Sequence, residues 1–251
     1  MPTNRPFVLS IAGFDPSAGA GVLADIKTFE QHRVYGFAIN TGNTIQTDKE
    51  FISIQWTALD FVLQSIETLF TSYDIKAVKI GIIPSLEYLK AIVFSIKKRS
   101  PTTKIVWDTV LKSSTEFKFL ELNNENELVA ILKQLELITP NYTEIVQLGN
   151  HDSTIENTLK KLTIHCPVLL KGGHNPEDVG TDYLYTKDRF FRLSPKKNQA
   201  YEKHGSGCVL SAAITANLAL EQNLFTACKN SKDYIDNFLL SNPTQLGYHY
   251  V

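Results

Sequence analysis

The chemistry most readily read from this chain lies in His204-Gly205-Ser206-Gly207-Cys208. These residues precede a run of small and apolar residues, 209–220, that reads as a buried helix. Two glycines around a serine let the backbone turn tightly and aim successive N–H groups one way. The first N–H groups of a helix lack partners within it, and the helix dipole adds about half a positive charge there. Such a position holds anions, phosphate above all. Cys208 stands at its mouth, where helix position favours a thiolate. An anion hole beside a tunable proton acceptor suggests phosphoryl transfer. The same five residues also fit a plain loop with Ser206 as the helix cap and Cys208 as a small buried residue.

Other polar residues fall where strands end or helices begin. Residues 7–12 read as a buried strand closed by Gly13, and a glycine-rich loop follows, Asp15 to Gly21. Asp25 falls near the start of a helix over 22–33, where a carboxylate suits the dipole and faces whatever the loop surrounds. Gln46 sits in a polar, turn-rich segment, 42–48. Its amide offers a donor and an acceptor that suit the edge of an aminopyrimidine, and it equally fits a surface loop. Asp108 closes a strand over 104–107, at the end of an open α/β sheet where ligands bind. It is a candidate to hold a metal or orient a phosphate, or else a turn residue. Asn141 reads as the cap of a short helix, and Glu144 lies three residues on, as in a capping box. Glu144 fits a position facing phosphates and magnesium equally well. Lys171 ends a strand over 166–171 before two glycines, where it can set a positive charge near phosphates.

The first glycine loop does not fit the familiar nucleotide fingerprints. Gly19-x-Gly21-x-x-Ala24 has the dinucleotide spacing, but Gly19 comes well after the strand-ending Gly13, and no acid closes the next strand. No Gly-Lys-Ser/Thr follows, so the Walker pattern is absent.

The elements that must position these residues alternate along the chain. Strands are expected at 7–12, 35–41, 75–80, 104–107, 137–139 and 166–171, with helices at 22–33, 57–73, 85–98, 128–135, 209–220 and 224–240. Residues 182–185 and 189–193 read as a hairpin, and 111–126 as a loop over the site. Such alternation predicts one α/β domain over residues 1–251 with a largely parallel central sheet. Hydrophobic residues make up 43% and charged residues 20% of the 251, which suits a soluble globular chain. A formal net charge of −1 gives no basic field for nucleic acid or membrane, and no apolar run approaches the roughly 18 residues of a membrane span. The start has no signal-peptide layout. Cys166, Cys208 and Cys228 are widely spaced and form no Cys-x-x-Cys pair, so a reduced, cytoplasmic protein is expected.

Five separated segments carry a resemblance. They are Ser10 to Gly21 with Ala24 to Phe29, Val78-Lys79-Ile80-Gly81, Leu137 to Glu144, Lys171-Gly172-Gly173-His174, and His204 to Cys208. In order and spacing the chain resembles the hydroxymethylpyrimidine/phosphomethylpyrimidine kinases of thiamine biosynthesis, within the ribokinase-like superfamily and close to pyridoxal kinases. The resemblance implies a three-layer α/β/α ribokinase-like fold. It implies ATP- and magnesium-dependent phosphorylation of 4-amino-5-hydroxymethyl-2-methylpyrimidine, then of its monophosphate. By similarity, Gly205, Ser206, Gly207 and Cys208 form the anion hole, and Cys208 stands where many ribokinase relatives carry an aspartate base. Asp25, Gln46 and Gly13 match positions around the pyrimidine. Lys171 and Asn141 match positions around the nucleotide, and Asp108 and Glu144 lie about the magnesium. The resemblance also implies a homodimer. Ala18 replaces a usual glycine, Gln46 is followed by Thr-Asp-Lys rather than Asn-Thr, and the C-terminal tail is short. These departures keep two further readings in view, a pyridoxal kinase and a non-catalytic pyrimidine-binding protein.

Overall fold

Val8 and Leu9 are neighbours on one strand, yet both are fully buried, on opposite sides of it. That is the signature of a parallel strand covered on both faces. The computed structural model describes residues 4–112, 119–120, 124–149, 153–175, 178–196 and 201–250. Among them, nine strands form one sheet: β1 (Phe7–Phe14), β2 (Tyr35–Gln46), β3 (Phe51–Trp56), β4 (Ile75–Ile80), β5 (Lys104–Trp107), β6 (Leu137–Ile138), β7 (Val168–Leu170), β8 (Asp182–Tyr185) and β9 (Phe190–Leu193). Their order is β3-β2-β1-β4-β5-β6-β7-β8-β9. Strands β2 to β7 in that order pair in parallel, and β3 and the β8–β9 hairpin close the two edges antiparallel.

Helices cover both faces, so the fold is the expected three-layer α/β/α sandwich. Leu9, Ile11, Val78 and Ile80 pack against α2 (Leu59–Ser72), α3 (Leu86–Arg99) and α4 (Glu125–Leu132). The short helices α5 (Tyr142–Leu148) and α6 (Ile155–Thr163) extend that layer. On the other face, Val8, Ala77, Val106 and Leu169 meet α1 (Gly21–Gln31), α7 (Ser206–Ala219) and α8 (Leu224–Leu239). Every residue of α7 from Val209 on is buried, which is why its sequence lacks a polar stripe. No described helix is long and apolar enough to cross a membrane.

One expected strand end is corrected and one helix is added. Strand β2 runs on to Gln46 rather than ending at residue 41, because 42–46 pair antiparallel with the unexpected β3, from Gly42↔Trp56 to Gln46↔Phe51. Helix α6 was not expected; it starts at the Thr154 cap, whose hydroxyl accepts from the Asn157 N–H. Within the expected loop 111–126, residues 113–118 and 121–123 lie outside the described residues, while Leu111, Phe119 and Leu120 are buried.

Candidate active site

The anion hole is built at the first turn of α7. Gly205 caps the helix in the left-handed conformation at φ 72°. A Cβ there would lie 2.1 Å from the Gly19 carbonyl oxygen, so only glycine allows the two loops to touch. Ser206 is therefore the first helical residue, not the cap, and no side chain caps α7. Among the described residues, the N–H groups of Gly207 and Cys208 have no backbone acceptor and stay available to an anion.

Charge gathers beside this turn. A Cβ built on Gly207 would lie 3.3 Å from Lys171 Nζ and 4.0 Å from Asp108 Oδ2. Lys171, just past β7, donates to Asp108 at 2.8 Å and lies 3.8 Å from Glu144. Asp108, just past β5, is fully buried and also accepts from Thr139 at 3.0 Å and Ser211 at 3.1 Å. Glu144 accepts from the Asn141 N–H at 2.8 Å and from Thr109 at 3.3 Å, and Asn141 caps the same helix in return. The expected capping box is thus present, and its carboxylate faces Lys171 as well. Burial alone would neutralise Asp108, but Lys171 and Lys79 outweigh it and hold the carboxyl below its usual range. Burial works against charge on Lys171 too, and Asp108 and Glu144 overcome it. Asp108, Thr139, Asn141 and Lys171 lie just past the carboxyl ends of β5, β6 and β7, where an open α/β sheet binds its ligand.

No group of three or more His, Cys, Asp or Glu suited to a metal occurs among the described residues. The carboxylates beside Lys171 are Asp108 and Glu144, 2.8 and 3.8 Å from its Nζ. That small set suits magnesium, which takes one or two carboxylates and draws its remaining ligands from water and phosphate oxygens.

The other half of the site lies along β1 and β4. Asp25 is fully buried and accepts from Lys79 at 2.8 and 3.0 Å and from Ser10 at 2.5 Å. It is the fifth residue of α1, past the first turn, so its partner is a lysine rather than the helix dipole. Lys79 is also fully buried; burial opposes its charge, and Asp25 prevails and keeps it protonated. Gly13 and Gly21 touch, since a Cβ on Gly21 would lie 2.1 Å from Gly13 O. The Gly21 N–H in turn faces the Cys208 sulfur. Among the described residues, no hydrogen bond or ion pair joins Gln46 to the other candidates; Thr44, two residues earlier, donates to Phe14 O at 2.9 Å and brings that strand end beside the first loop.

The expected thiolate is corrected. Burial pushes the Cys208 thiol up to about 11, and Asp108 and Asp25 add to this, while Lys79 and the Gly21 N–H only partly offset it. Sequence reasoning missed Ser211 and assigned no role to Lys79, Thr139 or the pair Asp15–His204, whose Oδ2–Nε2 distance is 2.9 Å. Lys79 had left a signal: a lone lysine inside an apolar strand must find a carboxylate. A groove of about 650 Å³ between β2 and α2 is lined by Asn40, Asn43, Phe61 and Leu69, among others, and holds none of the site residues.

Residues 15–251 match the family model described as phosphomethylpyrimidine kinase. The hydroxymethylpyrimidine/phosphomethylpyrimidine kinase of Aquifex aeolicus is 33% identical, over 96% of this chain and 97% of its own. The crystal structure of phosphomethylpyrimidine kinase from Clostridium difficile superposes with a TM-score of 0.75 at 30% identity, covering 92% of this chain and 98% of that one. Pyridoxal kinase from Staphylococcus aureus in complex with AMP-PCP superposes with a TM-score of 0.81 at 25% identity, covering 94% and 89%. The chain belongs to the phosphomethylpyrimidine kinase family.

Proposed function

We propose that this chain transfers the γ-phosphoryl group of ATP to the hydroxymethyl group of 4-amino-5-hydroxymethyl-2-methylpyrimidine, and then to the resulting monophosphate, in thiamine biosynthesis. The observation that carries the reading is the junction at Gly207, where free helix N–H groups, Lys171 and Asp108 meet within about one side chain's reach. Phosphoryl transfer asks chiefly for such positioning and charge neutralisation.

In this reading Gly205 to Cys208 hold the transferring phosphoryl group, and Lys171 with Asn141 serves the nucleotide phosphates. Asp108 and Glu144 would hold magnesium, which neutralises phosphate charge when bound. Gly13 and Gln46 line the pyrimidine side, and Asp25 supports it through Lys79 from within the fold. With its thiol at about 11, Cys208 is protonated near neutral pH and serves as a member of the anion hole rather than as a base. The loose transition state of phosphoryl transfer makes little demand for a strong base. A homodimer and a cytoplasmic location belong to the same reading; three free cysteines agree with a reducing compartment.

The test is an ADP-release assay with magnesium–ATP and either the pyrimidine or pyridoxal, with products resolved by mass. A pyrimidine monophosphate followed by a diphosphate supports the reading. Efficient turnover of pyridoxal alone points to the sister activity, and ligand binding without ADP release points to a binding protein.

A further inference from the structure

The first glycine loop and the anion hole belong to opposite ends of the chain, and no strand pairing ties them together. Besides the packing of α1 on α7 and the Gly21 N–H that faces the Cys208 sulfur, a carboxylate and an imidazole join them. Asp15 is almost fully buried and organises its own loop, accepting from Ser17 N at 2.8 Å, Ser17 Oγ at 2.8 Å and Ala20 N at 2.8 Å. Its Oδ2 also meets His204 Nε2 at 2.9 Å. An ionised carboxylate only accepts, so Nε2 carries the proton in this bond. Burial alone would raise Asp15, but the bonds from His204, Ser17 and Ala20 outweigh it and keep the group ionised.

The backbone of His204 is held from behind as well. Its main-chain N–H donates to Gln245 O at 2.9 Å, and the neighbouring Lys203 ammonium donates to the Asn242 and Thr244 carbonyls. A Cβ on Gly19 would lie 2.6 Å from the His204 ring and 3.0 Å from Leu246. Next along the chain, Gly205 approaches Gly19 and Ala20 closely enough that a Cβ would clash with both. His204 is therefore wedged between the first loop and the C-terminal tail, with the helix cap directly attached to it.

We propose that the Asp15–His204 pair is a latch that fixes the first glycine loop against the anion hole and so sets the spacing between acceptor alcohol and transferring phosphate. This rests on the kinase reading above. His204 is a positioning residue: its Nε2 is spent on Asp15, and it acts through Gly19 and Gly205. Because the two half-sites stay individually intact, loss of the latch weakens their alignment rather than either binding step.

The experiment compares His204→Ala, His204→Gln and Asp15→Asn with the unaltered protein. Misalignment by about an ångström costs on the order of a hundredfold in rate, so His204→Ala is expected to lower kcat by about that much. Dissociation constants for ADP and for the pyrimidine, each measured alone, should move by less than about threefold. His204→Gln keeps a side-chain donor and should recover to within about tenfold of the parent kcat. Amide hydrogen exchange supplies a readout independent of turnover. His204→Ala should speed exchange in 17–21, and Asp15→Asn should speed it in 205–208. The latch is overturned if kcat in His204→Ala stays within about threefold of the parent, if the loss lies wholly in one substrate's affinity, or if Gln fails to rescue. It is equally overturned if exchange changes only on the mutated side. A parent protein that turns over neither alcohol refutes the kinase reading instead, and the exchange data still decide the latch.

Discussion

Gly207→Ala separates the anion hole from the stability of the helix that forms it. Gly207 lies in the first turn of α7 with no left-handed backbone, so alanine fits its conformation. The added methyl would sit 3.3 Å from Lys171 Nζ, a flexible side-chain end that can give by a few tenths of an ångström. Alanine is the better helix former by up to about 1 kcal/mol. For a chain of this size that is an unchanged Tm or a rise of about 2–4 °C. The methyl nevertheless points into the space between the free N–H groups and Lys171, where the transferring phosphoryl group belongs. Displacing that group should cut kcat by at least about a hundredfold. Gly205→Ala is the contrasting variant. It adds a Cβ 2.1 Å from Gly19 O at a φ of 72°, so Tm should fall along with activity. The assay is ADP release and a thermal melt on the same preparations. Parent-like turnover in Gly207→Ala would refute the anion-hole reasoning, as would a loss of Tm equal to that of Gly205→Ala.

Three further outcomes are expected. Asp108→Asn removes the fully buried carboxylate that pairs Lys171, itself largely covered, and should cost about 3–5 kcal/mol in urea unfolding at neutral pH; a loss below about 1 kcal/mol contradicts the pairing. Cys208 should alkylate slowly at pH 7, its rate with iodoacetamide rising about tenfold per pH unit toward its pKa of about 11, whereas a plateau near pH 8 would restore the thiolate. His249, partly buried against Tyr234 and Phe238, has its pKa pushed down to about 4 by burial and by Lys27. Between an unfolded value of about 6.5 and that value, the unfolded chain binds the proton more readily, so stability is full above about pH 6.5 and falls as the pH drops toward 4. Allowing for solvent around the ring, the loss is on the order of 1–2 kcal/mol, and His249→Asn should remove it from the denaturation midpoint measured at pH 7 and pH 4.5.

Strands β4 and β5 and the Asn141–Glu144 capping box were legible because their signals are local: an apolar run closed by glycine or aspartate, and a cap with its reciprocal carboxylate. Strand β2 was cut short at residue 41 because Gly42, Asn43 and Thr44 read as a turn; only their pairing with β3 makes them extended. The site follows the same rule. Glycine spacing and strand-end positions pointed to Gly207, Asp108 and Lys171, whereas the ionisation of Cys208 depended on burial and on charges that are distant along the chain. Helix position alone favours a thiolate, but a dipole contribution of about 0.3–1 kcal/mol is small beside the desolvation of a buried charge. The two lysines make the same point from the other side. Lys79 is paired 54 residues away and Lys171 63 residues away, and each is charged only because a buried carboxylate meets it there. A linear pattern can say that a buried lysine needs a partner; which carboxylate it takes decides whether Asp25 is open to a ligand or committed to the core, and the fold alone makes that choice.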